Sequence, residues 1–133
     1  MINIEPQIYI VKKSKFISFI YEINSKEEVK KLNDQLWKDH KKATHICYAY
    51  TFFSISQNNG FNDDGEPSGT AGRPMLDLLN KRSVNNVVVF SVRYFGGIKL
   101  GGGGLIRAYV KSANLVIDEY FKFKMRNNDS NNR

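Results

Sequence analysis

The spacing of apolar residues changes along the chain, and these changes predict both strands and helices. Residues 7–11, 16–23 and 44–55 are rich in aromatic and β-branched side chains, a composition typical of β-strands. Residues 87–92 are almost continuously apolar, which indicates a strand buried on both faces of its sheet. The polar residues 57–60 are predicted to form a turn or hairpin loop.

Helical spacing predicts three helices between these strands. The first helix begins after Ser25, which can cap the free amides while Glu28 completes a capping box, and it ends near residues 40–42. The second includes Pro74 in its first turn, where little hydrogen bonding is lost, and Ser68 or Thr70 can cap it. The third helix starts within a glycine run and continues to about residue 120. The predicted order is therefore β-β-α-β-α-β-α.

The chain has 133 residues, a length that suits one domain. Its 41% hydrophobic and 25% charged residues are typical of a soluble globular domain. We predict a single domain over residues 1–124. Residues 125–133 are rich in asparagine and offer little apolar surface to bury, so we predict that this tail is disordered.

The formal net charge of +7 favours contacts with nucleic acids, anionic surfaces or acidic protein patches. It is equally consistent with a generally lysine-rich surface, because the charge is not concentrated in one run. Cys47 is the only cysteine, which excludes an intrachain disulfide and favours a reducing compartment. We see no apolar stretch of the ~20 residues that a membrane span needs and no signal-peptide pattern, so we expect a cytoplasmic protein.

Four consecutive glycines lie at the predicted start of the third helix, and they have two interpretations. Amides at a helix N-terminus attract anions, and Lys99 and Arg107 flank the run. The sequence lacks both the Walker ending and the dinucleotide-binding fingerprint. Alternatively, the glycines only allow the helix to pack closely on the sheet, which is the more frequent use of glycine. The candidate anion- or nucleic-acid-binding residues are Lys99, Gly101, Gly102, Gly103, Gly104, Arg107 and Lys111.

Three carboxylates within four residues form a second unusual motif. They could bind a divalent metal or provide a general base, but they lack the spacing of a calcium loop, and no His/Cys set accompanies them. The alternative is a capped turn whose carboxylates pair with arginines. Arg93 ends an apolar strand and therefore needs an acidic or carbonyl partner. We predict ion pairs among Asp63, Asp64, Glu66, Arg73 and Arg93, with no metal and no cofactor.

His45 and Cys47 lie on one face of the same predicted strand. Residues two apart on a strand are usually too far from each other for a nucleophile–base pair. The sequence thus contains no complete catalytic constellation, and we predict that the protein is not an enzyme. The enzymatic alternative, which ranks behind the two functions given below, is a phosphate-ligand enzyme that uses one carboxylate of the acidic motif as its base.

Two long motifs, FNDDGEPSGTAGRPML and VVVFSVRYFGGIKLGGGGLIRAY, closely resemble the YigZ/IMPACT family, and the segments KKSKFIS and KATHICYAY match it too. The resemblance covers roughly residues 12–119. It implies an α+β fold like domain 2 of ribosomal protein S5, which has a four-stranded, mostly antiparallel sheet with helices packed on one face.

The resemblance also implies a function. Eukaryotic IMPACT proteins regulate translation by binding the ribosome-associated activator of the starvation-responsive initiation factor 2 alpha kinase. We therefore expect a translation regulator of the stress response that acts by protein contacts, as a monomer and without a membrane partner. The alternative is a basic RNA- or ribosome-binding module.

Overall fold

The structure, a computed structural model, describes residues 3–131, with side chains as far as residue 127. Within this range the chain forms five strands and three helices. In order they are β1 (Gln7–Val11), β2 (Ser14–Glu22), α1 (Lys26–Asp39), β3 (His45–Phe53), β4 (Gln57–Asn62), α2 (Gly72–Lys81), β5 (Val87–Tyr94) and α3 (Gly101–Asn131).

The strands form one antiparallel sheet in the order β1-β2-β5-β3-β4. Strand β5 lies at its centre, and every residue from Val87 to Arg93 is buried. A central strand covered on both faces needs apolar side chains in both directions, which explains its continuous apolar run. The predicted α+β class and antiparallel sheet are confirmed.

The prediction of four strands is wrong, because residues 57–62 form the edge strand β4. Strand β4 pairs with β3, and Gly60 lies opposite Tyr50. A Cβ on Gly60 would overlap the Tyr50 ring, so only glycine lets this ring lie across the edge strand. Backbone pairing holds β4 in place without an alternating apolar pattern, and the sequence therefore shows only turn-forming residues there.

The helices cover both faces of the sheet, which corrects the prediction that they pack on one face. Helices α2 and α3 lie on the face that carries Phe16 and Cys47. Helix α1 lies on the other face, where Val29 and Leu36 pack with Phe90. The central strands are apolar on both faces, so each face needs its own cover.

The predicted N-terminal cap forms at α1 but not at α2. Ser25 caps α1 by accepting a hydrogen bond from the Glu28 amide at 3.3 Å. In a capping box the Glu28 carboxylate would accept from the Ser25 amide. Here it accepts from the preceding amide, that of Asn24, at 3.1 Å. Helix α2 begins after Ala71 without a side-chain cap from its own N-cap residue. The Thr70 hydroxyl donates to a carbonyl instead, so the predicted cap from Ser68 or Thr70 does not form.

Helix α3 continues to Asn131 rather than ending near Tyr120. The Tyr120 hydroxyl donates to the Glu22 carboxylate at 2.8 Å, and the Lys124 ammonium lies 3.3 Å from the same group. These contacts hold the later turns of α3 against β2. Disorder of residues 125–133 in solution stays a prediction, and residues 132–133 lie outside the described range. Although α3 spans 31 residues, no helix in the described part of the chain is long and apolar enough to cross a bilayer.

Gly96 provides a test of how the β1–β2 turn is attached to the loop after β5. A Cβ at Gly96 would overlap the Lys13 backbone, whereas a Cβ at Gly102 would meet no atom within 4 Å. We expect Gly96→Ala to lower the free energy of unfolding by about 1–3 kcal/mol, because the two loops must separate. Gly102→Ala should leave stability unchanged or raise it by up to ~1 kcal/mol. Urea denaturation measures both, and equal midpoints for the two variants would contradict the contact.

Candidate functional site

The Glu66 carboxylate connects three separate parts of the chain. It accepts hydrogen bonds of 3.0 and 2.8 Å from Nη1 of Arg93 at the end of β5, and another from the Tyr109 hydroxyl on α3. All three residues are buried. The loop after β4, the central strand and the longest helix are therefore joined through one carboxylate.

The Arg93 guanidinium is enclosed by aromatic rings as well as by its acidic partner. Its central carbon lies 5.7 Å from the Phe16 ring centroid and 5.4 Å from that of Phe95. Nη2 donates to the Ser14 hydroxyl at 3.5 Å, and within the described residues Nε is buried without a hydrogen-bond partner. A guanidinium so far removed from water needs the negative charge of Glu66.

Asp63 supplies the cap that α2 lacks at its own N-terminus. Its Oδ1 accepts hydrogen bonds from the amides of Ala71 (3.2 Å) and Gly72 (2.7 Å), and its Oδ2 accepts from the Gly69 amide at 2.9 Å. A carboxylate in this position satisfies free amides and interacts favourably with the helix dipole. This side chain therefore stabilises the start of α2.

Asp64 ties the same loop to the start of β3. Its Oδ2 accepts from the Ile46 amide at 2.8 Å, and its carbonyl oxygen lies 2.6 Å from Nδ1 of His45. The imidazole is thereby oriented with Nε2 at 3.5 Å from the Glu66 carboxylate. Like the carboxylate of Asp63, that of Asp64 accepts from the backbone of the fold, here from one amide.

Cys47 and Tyr109 lie deepest in this cluster, and both are held in their neutral forms. Burial raises the pKa of the Cys47 thiol and of the Tyr109 hydroxyl well above their usual ranges. The Cys47 sulfur lies 3.1 Å from the Asp63 carbonyl and 3.5 Å from the Tyr109 hydroxyl. A neutral, enclosed thiol is a poor nucleophile, so this geometry does not favour covalent catalysis.

A cavity of about 390 Å³ opens beside the Glu66–Arg93 pair. Among its lining residues are His45 and Lys99, together with Gly101 and Gly102 at the start of α3. The first amides of a helix and the Lys99 ammonium favour an anion in this recess, whereas the Glu66 carboxylate, which also lines it, is paired with Arg93. Three of the predicted anion-binding residues thus share one cavity.

The remaining residues of the predicted anion site lie elsewhere around α3. Gly104 and Arg107 line a second cavity of about 180 Å³, together with Lys12. A Cβ at Gly103 would lie 3.3 Å from the Arg107 guanidinium, and Lys111 is exposed further along α3. The predicted set is therefore divided between two recesses and the helix surface.

Only one of the predicted ion pairs forms within the acidic motif, that between Glu66 and Arg93. Arg73 pairs instead with Asp77 on the exposed side of α2, at 3.0 Å. Within the described residues, neither Asp63 nor Asp64 pairs with an arginine, because backbone amides take up their carboxylates. No group of three or more His, Cys, Asp or Glu side chains in that range is arranged to hold a metal ion.

Sequence reasoning missed the part that Tyr109 and Ser14 play in this cluster. Tyr109 falls on the inner face of α3, where its ring is expected in the core. Its hydroxyl needs a buried partner, and the Glu66 carboxylate provides one. The buried Ser14 hydroxyl meets both the Arg93 guanidinium and, at 3.2 Å, the Gly96 amide. A tyrosine on a mostly apolar helix face was the available signal.

Comparison with known proteins shows the family. The Impact N-terminal domain matches residues 12–117, and the chain belongs to the IMPACT family. It is 46% identical over 105 residues to the IMPACT family member YvyE of Bacillus subtilis, covering 79% of this chain and 48% of YvyE. It is 42% identical over 109 residues to YigZ of Escherichia coli, covering 80% of this chain and 53% of YigZ. The chain thus spans about half the length of these relatives.

Two solved structures share the fold. One is the crystal structure of a hypothetical protein, with a TM-score of 0.80, 37% identity, and coverage of 86% of this chain and 56% of that one. The other is the two-domain translational regulator Yih1, with a TM-score of 0.57, 24% identity, and coverage of 89% and 45%. The second likeness is one of fold alone. The predicted family membership is confirmed.

The buried ion pair can be tested by removing one charge. We expect Glu66→Gln to lower the free energy of unfolding by about 3–5 kcal/mol, because it leaves the buried Arg93 charge uncompensated. Asp77→Asn is the matched control, since it breaks an exposed pair and should cost less than ~0.5 kcal/mol. Urea denaturation compares the two, and a similar small loss in both would show that the Glu66–Arg93 contact contributes little.

The buried thiol provides a second test. We expect Cys47 in the folded chain to react with a thiol reagent no faster than the chain unfolds, because burial raises the pKa of the thiol and excludes the reagent. The folded-state pKa of the thiol exceeds the unfolded value of ~8.5. The thiol's full contribution to the free energy of unfolding is therefore present below pH ~8.5, and it is lost as the pH rises from there towards the folded-state pKa, because the unfolded chain ionises first. Thionitrobenzoate release measures the rate with and without urea; rapid labelling of the folded chain would contradict the burial.

Proposed function

We propose that this chain regulates translation through protein contacts rather than by catalysis. The proposal rests on the partners that the carboxylates of the acidic motif bind. Asp63 and Asp64 bind backbone amides, and Glu66 neutralises a buried guanidinium. Carboxylates that are occupied in this way support a structural role for the motif, because a general base must be free to reach its substrate.

Family and fold supply the link to translation. The chain carries the Impact N-terminal domain, and its fold is like that of the translational regulator Yih1. The partner that we propose is the ribosome-associated activator of the initiation factor 2 alpha kinase, as the resemblance to eukaryotic IMPACT proteins suggests. Binding there would place the protein in the cytoplasm, in the response to amino-acid starvation.

A basic RNA- or ribosome-binding module is the second candidate function. Exposed Lys99 lies just before α3, exposed Arg107 and Lys111 lie along it, and these cations favour this alternative. Cations displayed in this way can neutralise phosphates without reading a sequence. The two functions differ in their partner, which is a protein in one and a nucleic acid in the other.

A pull-down with and without nuclease separates the two. The immobilised chain is incubated with eukaryotic cell extract, and the activator is detected by immunoblotting. We expect the activator to be retained after nuclease treatment, because protein contacts do not depend on RNA. Retention that nuclease abolishes, that falls steeply with salt and that Arg107→Glu weakens would favour the RNA-binding module. Recovery of nucleic acid without any translation component would overturn the proposal.

A further inference from the structure

Three separate segments bring basic and apolar side chains together at the N-terminal end of α3. They are the β1–β2 turn, the loop from β5 to α3, and the first two turns of α3. We propose that this surface, here called the basic end, binds an acidic, amphipathic segment of a partner protein. This inference rests on the proposed function only in taking the partner to be a protein. The basic end comprises Lys12, Lys13, Phe95, Ile98, Lys99 and Arg107.

The first observation is the backbone of the β1–β2 turn. Lys12 and Lys13 form a two-residue hairpin between the paired residues Val11 and Ser14. Both lysines have positive φ, 47° and 65°, a region that favours glycine and asparagine. A turn selected for stability alone would carry those residues, as Asn-Gly does in many hairpins. Two lysines in disfavoured conformations are better explained by the charge that they display.

The second observation is that the turn is fixed to the loop after β5. Gly96 packs so closely on the Lys13 backbone that no side chain would fit. The Gly96 amide donates to the Ser14 hydroxyl at 3.2 Å, and Arg93 donates to the same hydroxyl. The cations of the turn are therefore held beside those of α3, and Lys12 and Arg107 line one cavity of about 180 Å³.

The third observation concerns the nearby acids. Within the described residues, Lys12, Lys13, Lys99 and Arg107 take part in no ion pair. The carboxylates of the acidic motif are close to α3 but are already used on backbone amides and Arg93. The positive potential of the basic end is thus left uncompensated, and it attracts an acidic partner.

The fourth observation favours a protein over a nucleic acid as the partner. Phe95 and Ile98 are 46% and 43% exposed, and both lie in the loop that carries Lys99. Phosphate contacts use polar and charged groups, and exposed isoleucines add nothing to them. Protein interfaces combine aromatic and apolar side chains with arginine in this way. The recess of about 390 Å³ beside Phe95 and Lys99 can accept one side chain of such a partner.

Selection from a random peptide library displayed on phage tests the inference with the intact chain as target. We expect the enriched peptides to combine Asp or Glu with Leu, Ile or Phe. Fluorescence anisotropy should then show that Lys13→Glu combined with Arg107→Glu weakens the selected peptides by about tenfold or more. Ile98→Ser should weaken them as well, because an apolar contact is lost.

The matched control reverses two lysines on α1, with Lys30→Glu combined with Lys38→Glu. Both are exposed, and α1 packs on the other face of the sheet, so this variant has the same net charge but should bind the peptides unchanged. Circular dichroism of each variant confirms that it is folded.

Three results would overturn the inference. They are selection of no peptide, peptides without acidic enrichment, and peptides that bind the basic-end variants as well as they bind the parent chain. Tighter binding of a single-stranded oligouridylate, weakened by the same charge reversals, would assign the surface to RNA instead. Retention of the activator after nuclease despite failed peptide binding would overturn this inference alone, whereas peptide binding without retention of the activator would overturn the proposed function alone.

Discussion

The charge pair between Glu66 and Arg93 sets the arrangement of the rest of the molecule. A guanidinium enclosed by two aromatic rings is stable only beside a fixed negative charge, and that charge comes from a loop that Asp63 and Asp64 hold in place. Tyr109 adds a third segment to the same carboxylate. The two long family motifs are therefore halves of one internal contact, and this contact positions the start of α3 and the surface around it.

Much of the fold could be predicted from the sequence because the relevant forces are local. The cap at Ser25 depends on residues three apart, and the burial of β5 follows from its own composition. The edge strand β4 could not be predicted in this way, since backbone pairing with β3 holds it and its polar side chains carry no pattern. Nor does the apolar stripe of α1 indicate which face of the sheet it covers. That choice depends on the order of the strands.

The candidate site was predicted in part for the same reason. Arg93 at the end of an apolar strand requires an acid, and glycines before a helix expose amides, so both features follow from residue chemistry. The sequence does not show which acid is closest, because Glu66 is chosen by the path of a loop between elements far apart in the chain. Lys12 and Lys13 were missed because only their backbone conformation distinguishes them from other surface lysines.

The outer side of β4 has a consequence for handling the protein at high concentration. Strand β4 pairs only with β3 among the described elements, so one row of its backbone groups faces outward at the border of the sheet. Its six residues, QNNGFN, include no lysine or proline of the kind that commonly blocks such borders. An extended segment of a second copy can therefore pair with β4. Because the strand is short, such self-association gains few hydrogen bonds.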